Sequence, residues 1–234
     1  MKSWIDGKNA VVVGGSGGLG AAIAEMLKKK NAKTLVTGKN RGDIKIDFES
    51  ASLKEIFLTN EGKSLLSAVK SADILCVSYG PFVQKSLEKT SLADWEKIAL
   101  LDYALPGFLA STALCAMMER KCGRIILLGG TRTDCVRAYR TNAAYAGAKT
   151  ALAVLTKSLG AEGARHGVTT NAILPGFTET EYQSAEAMAA LREKMPSGKM
   201  ISAEEIARAA EFLLENQSAN GVLLRIDGGW NPNF

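Results

Sequence analysis

Short apolar runs, each closed by glycine, proline or polar positions, alternate along the chain with longer stretches of helical spacing. The first run, Val11-Val12-Val13, is β-branched throughout and suits a strand buried on both faces. Gly14-Gly15-Ser16-Gly17-Gly18-Leu19-Gly20 follows, and Ala21, Ala22, Ile23, Met26 and Leu27 then recur at the spacing of a helix with one buried face. Lys33–Thr37 and Ile44–Asp47 predict the next two strands. They stand too close for a full helical crossover, which needs about a dozen residues, so the layer on that face is expected to be thin. Leu53 to Val69 has helical spacing with a break expected at Gly62. Ala72–Val77 predicts a fourth buried strand, stopped by Ser78-Tyr79-Gly80-Pro81.

Ser91 to Met118 predicts a long helix, capped by Ser91 with Asp94 and kinked or split by Pro106. Gly123–Leu128 predicts a fifth strand, and after an arginine-rich loop Ala144 opens another helix. Thr169–Leu174 predicts a sixth strand, leaving through Pro175-Gly176-Phe177-Thr178-Glu179-Thr180. The polar, methionine-containing stretch at about 181–201 reads as a mobile substrate flap. Ser202 with Glu205 caps a further helix, and Val222–Ile226 is the last strand, closed by Asp227-Gly228-Gly229. Strands alternating with helices predict a doubly wound α/β fold, and no repeat or linker divides residues 1–234 into more than one domain.

Composition narrows the function. A chain of 234 residues with 47% hydrophobic and 23% charged positions fits one globular α/β domain. The net charge of +5 reads as a solvated surface and gives no reason to expect a nucleic-acid partner. Cys76, Cys115, Cys122 and Cys135 form no C-x-x-C pair and have no histidine at ligand spacing. They are expected to be free thiols in a reducing cytoplasm, with no metal site. His166 is the only histidine, and no serine nucleophile elbow accompanies it. Met1–Lys8 lacks the apolar core of a signal peptide, and no stretch reaches the length of a membrane span, so no membrane association is expected.

Strand, glycine turn and helix together bring a pyrophosphate against unpaired N–H groups at a helix N-terminus. Gly15, Gly17 and Gly20 satisfy G-x-G-x-x-G, while Gly14, Gly18 and Gly20 satisfy G-x-x-x-G-x-G. A bland glycine turn or a methyltransferase loop would look similar; the absence of a following Gly-Lys-Ser/Thr disfavours a P-loop. In a dinucleotide fold the second strand ends at the adenosine ribose, where an acid would hold the 2′-hydroxyl of NAD. Gly38-Lys39-Asn40-Arg41 offers no acid, and its cations suit a 2′-phosphate, so NADP(H) is the expected cofactor. Tyr145 and Lys149 stand four residues apart on one helix face. An ammonium there lowers the phenol's pKa, and such a pair can exchange a proton with a carbonyl oxygen.

With these residues in hand, the chain resembles the short-chain dehydrogenase/reductase family over nearly its whole length, with wording similar to bacterial 3-oxoacyl-carrier-protein reductases. Asp6-Gly7-Lys8, the glycines Gly14, Gly18 and Gly20, the pair Tyr145 and Lys149, Asn171 to Thr180 and Asp227-Gly228-Gly229 carry the resemblance. It implies a single-domain Rossmann fold with a seven-stranded parallel sheet ordered 3-2-1-4-5-6-7, and dimers or tetramers. It implies cofactor contacts from Gly14, Ser16, Gly17, Gly18, Leu19 and Gly20, from Lys39, Asn40 and Arg41, and from Asp47 and Phe48 at the adenine. Ser78, Tyr79 and Gly80, the pair itself, and Pro175, Gly176, Phe177, Thr178 and Thr180 at the nicotinamide complete that set.

Departures from the family pattern matter as much. Val77-Ser78-Tyr79-Gly80 replaces Asn-Asn-Ala-Gly, leaving Tyr79 as either a packing residue or a substrate wall. Counting from Trp95 puts Asp102 at the place of the family's Asn, and counting along the fifth strand puts Gly130 at the place of its Ser. Counting back from Tyr145 makes Thr131 or Thr133 the stand-in, and Thr131 is the one expected. Arg132, Arg137 and Arg140 are either solvated or ready for an acidic substrate. Lys121 with Arg165 or His166 are the counterparts of basic residues that carrier-protein reductases place beside the entrance. The expected activity is an NADP(H)-dependent carbonyl/alcohol oxidoreductase on a small, acidic or carrier-bound substrate. The alternative, prompted by Asp102 and Gly130, is a nucleotide-binding protein with little or no turnover.

Overall fold

A computed structural model describes residues 3–178 and 185–230, with backbone only at 185–187. Seven parallel strands form one sheet in the order β3-β2-β1-β4-β5-β6-β7, the order implied by the resemblance. They are β1 (Asn9–Val13), β2 (Lys33–Gly38), β3 (Ile44–Lys45), β4 (Ile74–Val77), β5 (Gly123–Leu128), β6 (Val168–Pro175) and β7 (Leu223–Ile226). Alternate strand residues face opposite layers. Val11, Val13, Leu75, Val77, Ile125 and Leu127 pack against α3 (Asn60–Ser71), α5 (Leu105–Glu119) and α6 (Ala143–Gly163). Val12, Ile74, Cys76, Ile126, Leu128 and Ile173 pack against α1 (Gly18–Lys29) and α8 (Ala203–Glu215). Each fully buried Leu or Ile of these layers contributes about 1.5–3 kcal/mol relative to exposure.

The stretch expected to break at Gly62 breaks earlier, between α2 (Leu53–Ile56) and α3. Thr59 caps α3 by accepting from the Gly62 N–H. Gly62 stays helical because its missing side chain lets it pack on the Ile56 carbonyl, which an added Cβ would meet at 2.1 Å. Ser91 and Asp94 form the expected capping box at the start of α4 (Leu92–Ala99). Ser202 and Glu205 do the same for α8.

Pro106 neither splits nor ends the long helix. One π-helical segment, Leu100–Ala104, joins α4 to α5, with the Leu105 N–H donating to the Leu100 carbonyl five residues back. Proline has no N–H to give the Leu101 or Asp102 carbonyl, so the ladder re-registers here. The turn it re-registers carries Asp102, which is fully buried. Contrary to the reading of the sequence, Leu92–Glu119 is long and apolar enough to cross a membrane by length and composition; half of that window is buried inside the protein.

The expected flap divides. Residues 181–184 lie outside the described residues, α7 (Ala185–Lys194) follows, and Met195, Met200 and Ile201 then return to the core beside α1 and α8. Between Met195 and Met200 the chain is exposed.

Candidate active site

Parallel strands deliver their following loops to one edge of the sheet, and the loops after β1, β2, β4, β5 and β6 meet there. Gly14 takes φ of +77°, and an added Cβ would stand 2.7 Å from the Tyr79 N atom, so the turn after β1 lies directly on the turn after β4. A Cβ on Gly20 would meet the Gly14 carbonyl oxygen at 2.3 Å. Helix α1 starts at Gly18 with Gly17 as its N-cap, no side-chain cap and no acid in its first turn. Its first N–H groups, backed by the helix dipole, fit a pyrophosphate. Gly18 has open space where its Cβ would be, Leu19 in the first turn of α1 packs on the core, and Ser16 lies against Gly38 at the end of β2.

At the adenosine end, Lys39 Nζ pairs with Asp47 at 2.8 Å, joining two residues expected to hold different parts of the nucleotide. That pair holds the Asp47 carboxyl below its usual range, helped by the Glu49 N–H. Asn40 and Arg41 complete the turn after β2, both exposed. The side chain of Phe48, expected at the adenine, is buried in the core against Phe57 and Tyr79, at 6.4 and 5.1 Å between ring centroids. Tyr79 is a packing residue: its ring lies on Phe48 and its hydroxyl donates to Glu49 Oε1 at 3.3 Å. The Ser78 N–H donates to the Val13 carbonyl.

Tyr145 and Lys149 share one face of α6, with Lys149 Nζ 5.6 Å from the Tyr145 ring centroid. Lys149 is buried and donates to the Leu128 carbonyl at 2.9 Å. Its Nζ also lies 3.0 Å from Asp102 Oδ1, so the two buried groups form an ion pair. Asp102 thus reaches the place that counting from Trp95 predicts. Burial raises its carboxyl above the usual range, and Lys149 opposes that shift without reversing it. Gly80 seals this corner, since an added Cβ would fall 2.2 Å from Asp102 Oδ1 and 3.1 Å from Lys149 Nζ. The expected lowering of the Tyr145 pKa is reversed. Burial, and after it the Asp102 carboxylate, hold the phenol well above its usual range.

Neither threonine presents a hydroxyl to this corner. Thr131, the expected stand-in for serine, donates to the Pro175 carbonyl at 2.6 Å. Thr133 is buried and closed on its own turn, accepting from the Gly130 N–H and donating to the Gly130 carbonyl. Gly130 is the residue beside the pair: its Cβ would stand 3.2 Å from Tyr145 Cε1 and 3.5 Å from Lys149 Cβ.

The nicotinamide-side segment is fixed by its backbone. The Gly176 N–H donates to the Ile226 carbonyl, Phe177 stacks edge-on with Trp230 at 5.0 Å, and Thr178 bridges to Ile201. Thr180 lies outside the described residues. Arg137 covers the ring of Tyr139 at 4.6 Å. Lys121, Arg165 and His166 precede the amino ends of β5 and β6, so within one chain they stand at the edge of the sheet opposite Tyr145. Sequence reasoning missed Phe82, whose ring stands edge-on to Tyr145 with centroids 4.9 Å apart. An aromatic directly after the strand-ending Gly80-Pro81 was the available signal.

A family profile described as enoyl-(acyl carrier protein) reductase matches residues 13–231. The 3-oxoacyl-[acyl-carrier-protein] reductases FabG of Salmonella typhimurium and Escherichia coli are each 31% identical over 239 residues, covering 96% of this chain and 97% of theirs. Among solved structures, the TT0495 protein of Thermus thermophilus superposes with a TM-score of 0.81 at 29% identity, covering 95% of this chain and 98% of that one. A Beutenbergia cavernae protein described as an NAD(P)-dependent gluconate 5-dehydrogenase, solved with NADP at low occupancy, gives 0.81 at 25% identity, covering 96% of this chain and 97% of that one. Likeness of this extent, in sequence and in strand order alike, means that the chain belongs to the short-chain dehydrogenase/reductase family of oxidoreductases.

Proposed function

We propose that the protein is an NADP(H)-dependent reductase or dehydrogenase acting on a carbonyl/alcohol pair, with Tyr145 as the proton donor and acceptor. One observation carries this reading: Tyr145 and Lys149 stand together on α6 at the sheet edge where the uncapped start of α1 also lies. A nicotinamide dinucleotide, when bound, supplies or accepts the hydride. Tyr145 gives its proton to the carbonyl oxygen during reduction and takes it back during oxidation. Lys149, fixed by the Leu128 carbonyl and Asp102, places its positive charge beside the phenol and is positioned to hold the nicotinamide ribose. Consumption of NADPH and of NADH over a panel of ketones, oxoesters and oxoacyl thioesters tests it. Oxoacyl thioesters belong in that panel because the FabG relatives reduce carrier-bound substrates by name.

The second reading is a nucleotide-binding member with slow turnover. It is favoured by the absence of a serine at Gly130 and by the engagement of Thr131 and Thr133 with backbone. Retention of Tyr145 and Lys149 weighs against it.

The NADP(H) assignment rests on Lys39, Asn40 and Arg41 and on the absence of an acid in that turn. Lys39 is tied to Asp47, but the pair is exposed, and exposed pairs are worth little, so a 2′-phosphate competes for it readily. Lys39→Ala is expected to weaken NADPH binding about tenfold and to leave NADH binding unchanged in calorimetric titrations. Equal losses for both nucleotides would remove the basis for the preference.

Asp102→Asn is expected to move the rising limb of the pH–rate profile for alcohol oxidation to lower pH. The sign follows from charge: Asp102 holds the Tyr145 phenol up, and oxidation needs the phenolate. Superimposable profiles for the two forms on one alcohol would mean that Asp102 does not tune the tyrosine.

We also propose a homo-oligomer, a dimer or tetramer. Trp95, Leu100, Tyr103 and Phe108 are exposed along Leu92–Glu119, and Val154 is exposed on α6 beside it. Exposed apolar side chains on neighbouring helices suit a self-complementary contact. The four cysteines are unpaired, in keeping with a reducing compartment.

A further inference from the structure

Phe82 is 59% exposed, yet its ring meets the Tyr145 ring edge-on, at an interplanar angle of 84°. Scattered exposed apolar residues are ordinary, so the exposure alone carries nothing. The contact and its anchoring carry more. On one side, Gly80 is packed against Asp102 and Lys149, and Pro81 fixes its own backbone dihedral. On the other, Lys85 Nζ donates to both Asp94 oxygens, at 2.8 and 2.7 Å. Asp94 is itself locked in the capping box of α4, and these partners together hold its carboxyl at about 2. The close packing of Gly80 and the fixed dihedral of Pro81 orient the backbone just before Phe82, and the ring is presented beside Tyr145.

A substrate that brings its carbonyl oxygen to the Tyr145 hydroxyl comes close to this ring, whose centroid is 4.9 Å from that of Tyr145. We propose that Phe82 determines substrate specificity here, forming an apolar wall that favours carbonyl compounds with an alkyl or aryl group beside the reacting carbon over polyhydroxylated ones. An alkyl group on the ring leaves water and gains dispersion contact. A hydroxyl in the same place loses water and finds no comparable partner, because a phenyl side chain carries no hydrogen-bonding N or O atom. The proposal rests on reading Tyr145 as the proton donor, and the experiment separates the two.

Primary amides from acetamide to hexanamide accept a hydrogen bond as ketones do, but a nicotinamide does not reduce them. Their binding to the nucleotide-saturated protein, followed by calorimetry, is expected to tighten about fourfold per methylene over the first methylenes. Phe82→Ala, a change at an exposed loop position, is expected to flatten that gradient without changing the melting temperature. In parallel, turnover of 2-hexanone is compared with that of dihydroxyacetone, and Phe82→Ala is expected to reduce the preference for the ketone at least about tenfold. No chain-length gradient, or one that Phe82→Ala leaves intact, overturns the proposal. A gradient that depends on Phe82, with no ketone turned over by either form, supports the wall and overturns the catalytic reading instead.

Discussion

Tyr145→Phe is expected to lower turnover of the best carbonyl substrate by about 10²–10⁴-fold, the usual worth of a positioned general acid. Nucleotide affinity and melting temperature are expected to stay nearly unchanged. The substitution keeps the ring that packs edge-on against Phe82 and removes a hydroxyl committed to no partner among the described residues. Direction of reaction then sets the pH dependence of the wild-type protein. Burial and the Asp102 carboxylate raise the phenol's pKa, so Tyr145 carries its proton throughout the neutral range. Reduction, which consumes that proton, is therefore expected to be flat across neutral pH and to fall only in strong alkali. Oxidation, which needs the phenolate, is expected to rise with pH over the same range. Lys149→Ala should harm both nucleotide binding and turnover, because one buried ammonium lies beside the phenol and, in this reading, the ribose. Steady-state kinetics with both forms, and titration of each with nucleotide, check all of this. A Tyr145→Phe protein that keeps most of its activity would mean that another group supplies the proton.

Local signals in the sequence survived where they rest on local physics. Strand, glycine turn and helix at residues 9–29 need only sterics and helix nucleation, and Ser91 with Asp94 and Ser202 with Glu205 need only three residues of reach. Strand order followed from the family resemblance, and parallel pairing with short loops leaves few alternatives. Readings that depended on distant partners fared differently. Lys39 and Asp47 were each expected to meet a nucleotide, while their pairing with one another was not legible, since it needs two loops to meet. Gly62 read as a breaker because glycine is a poor helix former, yet the close approach to Ile56 that it permits lies outside any local rule. Thr131 turns its hydroxyl to the Pro175 carbonyl, a choice of rotamer that residue counting cannot see. Counting from Trp95 singled out Asp102, and the structure sets it 3.0 Å from Lys149, on a π-helical turn that residue counting does not reveal.

Gly130→Ser is expected to accelerate hydride transfer by about 10²–10³-fold on a substrate already turned over slowly, with little change in KM. A carbonyl oxygen gaining negative charge accepts two hydrogen bonds, and a missing donor at such a site costs that factor. In the proposed reaction Tyr145 is one donor. Lys149 is held by the Leu128 carbonyl and Asp102, Thr131 by Pro175, and Thr133 by Gly130. The new Cβ would lie 3.2 Å from Tyr145 Cε1, 3.4 Å from Thr133 Cγ2 and 3.5 Å from Lys149 Cβ. Room for a serine therefore requires neighbours to yield by only a few tenths of an ångström, and the φ of Gly130 is not in the left-handed region. The added hydroxyl starts at the ring edge of Tyr145, on the side shared with Lys149. Because its hydrogen bond strengthens as charge develops, the gain should fall on kcat more than on KM. Gly130→Ala is the control: it adds the same Cβ without a donor, and is expected to equal or fall below the wild type. Single-turnover rates with pre-bound reduced nucleotide separate chemistry from product release. If the serine and alanine forms react alike, the substrate oxygen does not sit between Tyr145 and Gly130, and its position must be sought elsewhere along the mouth.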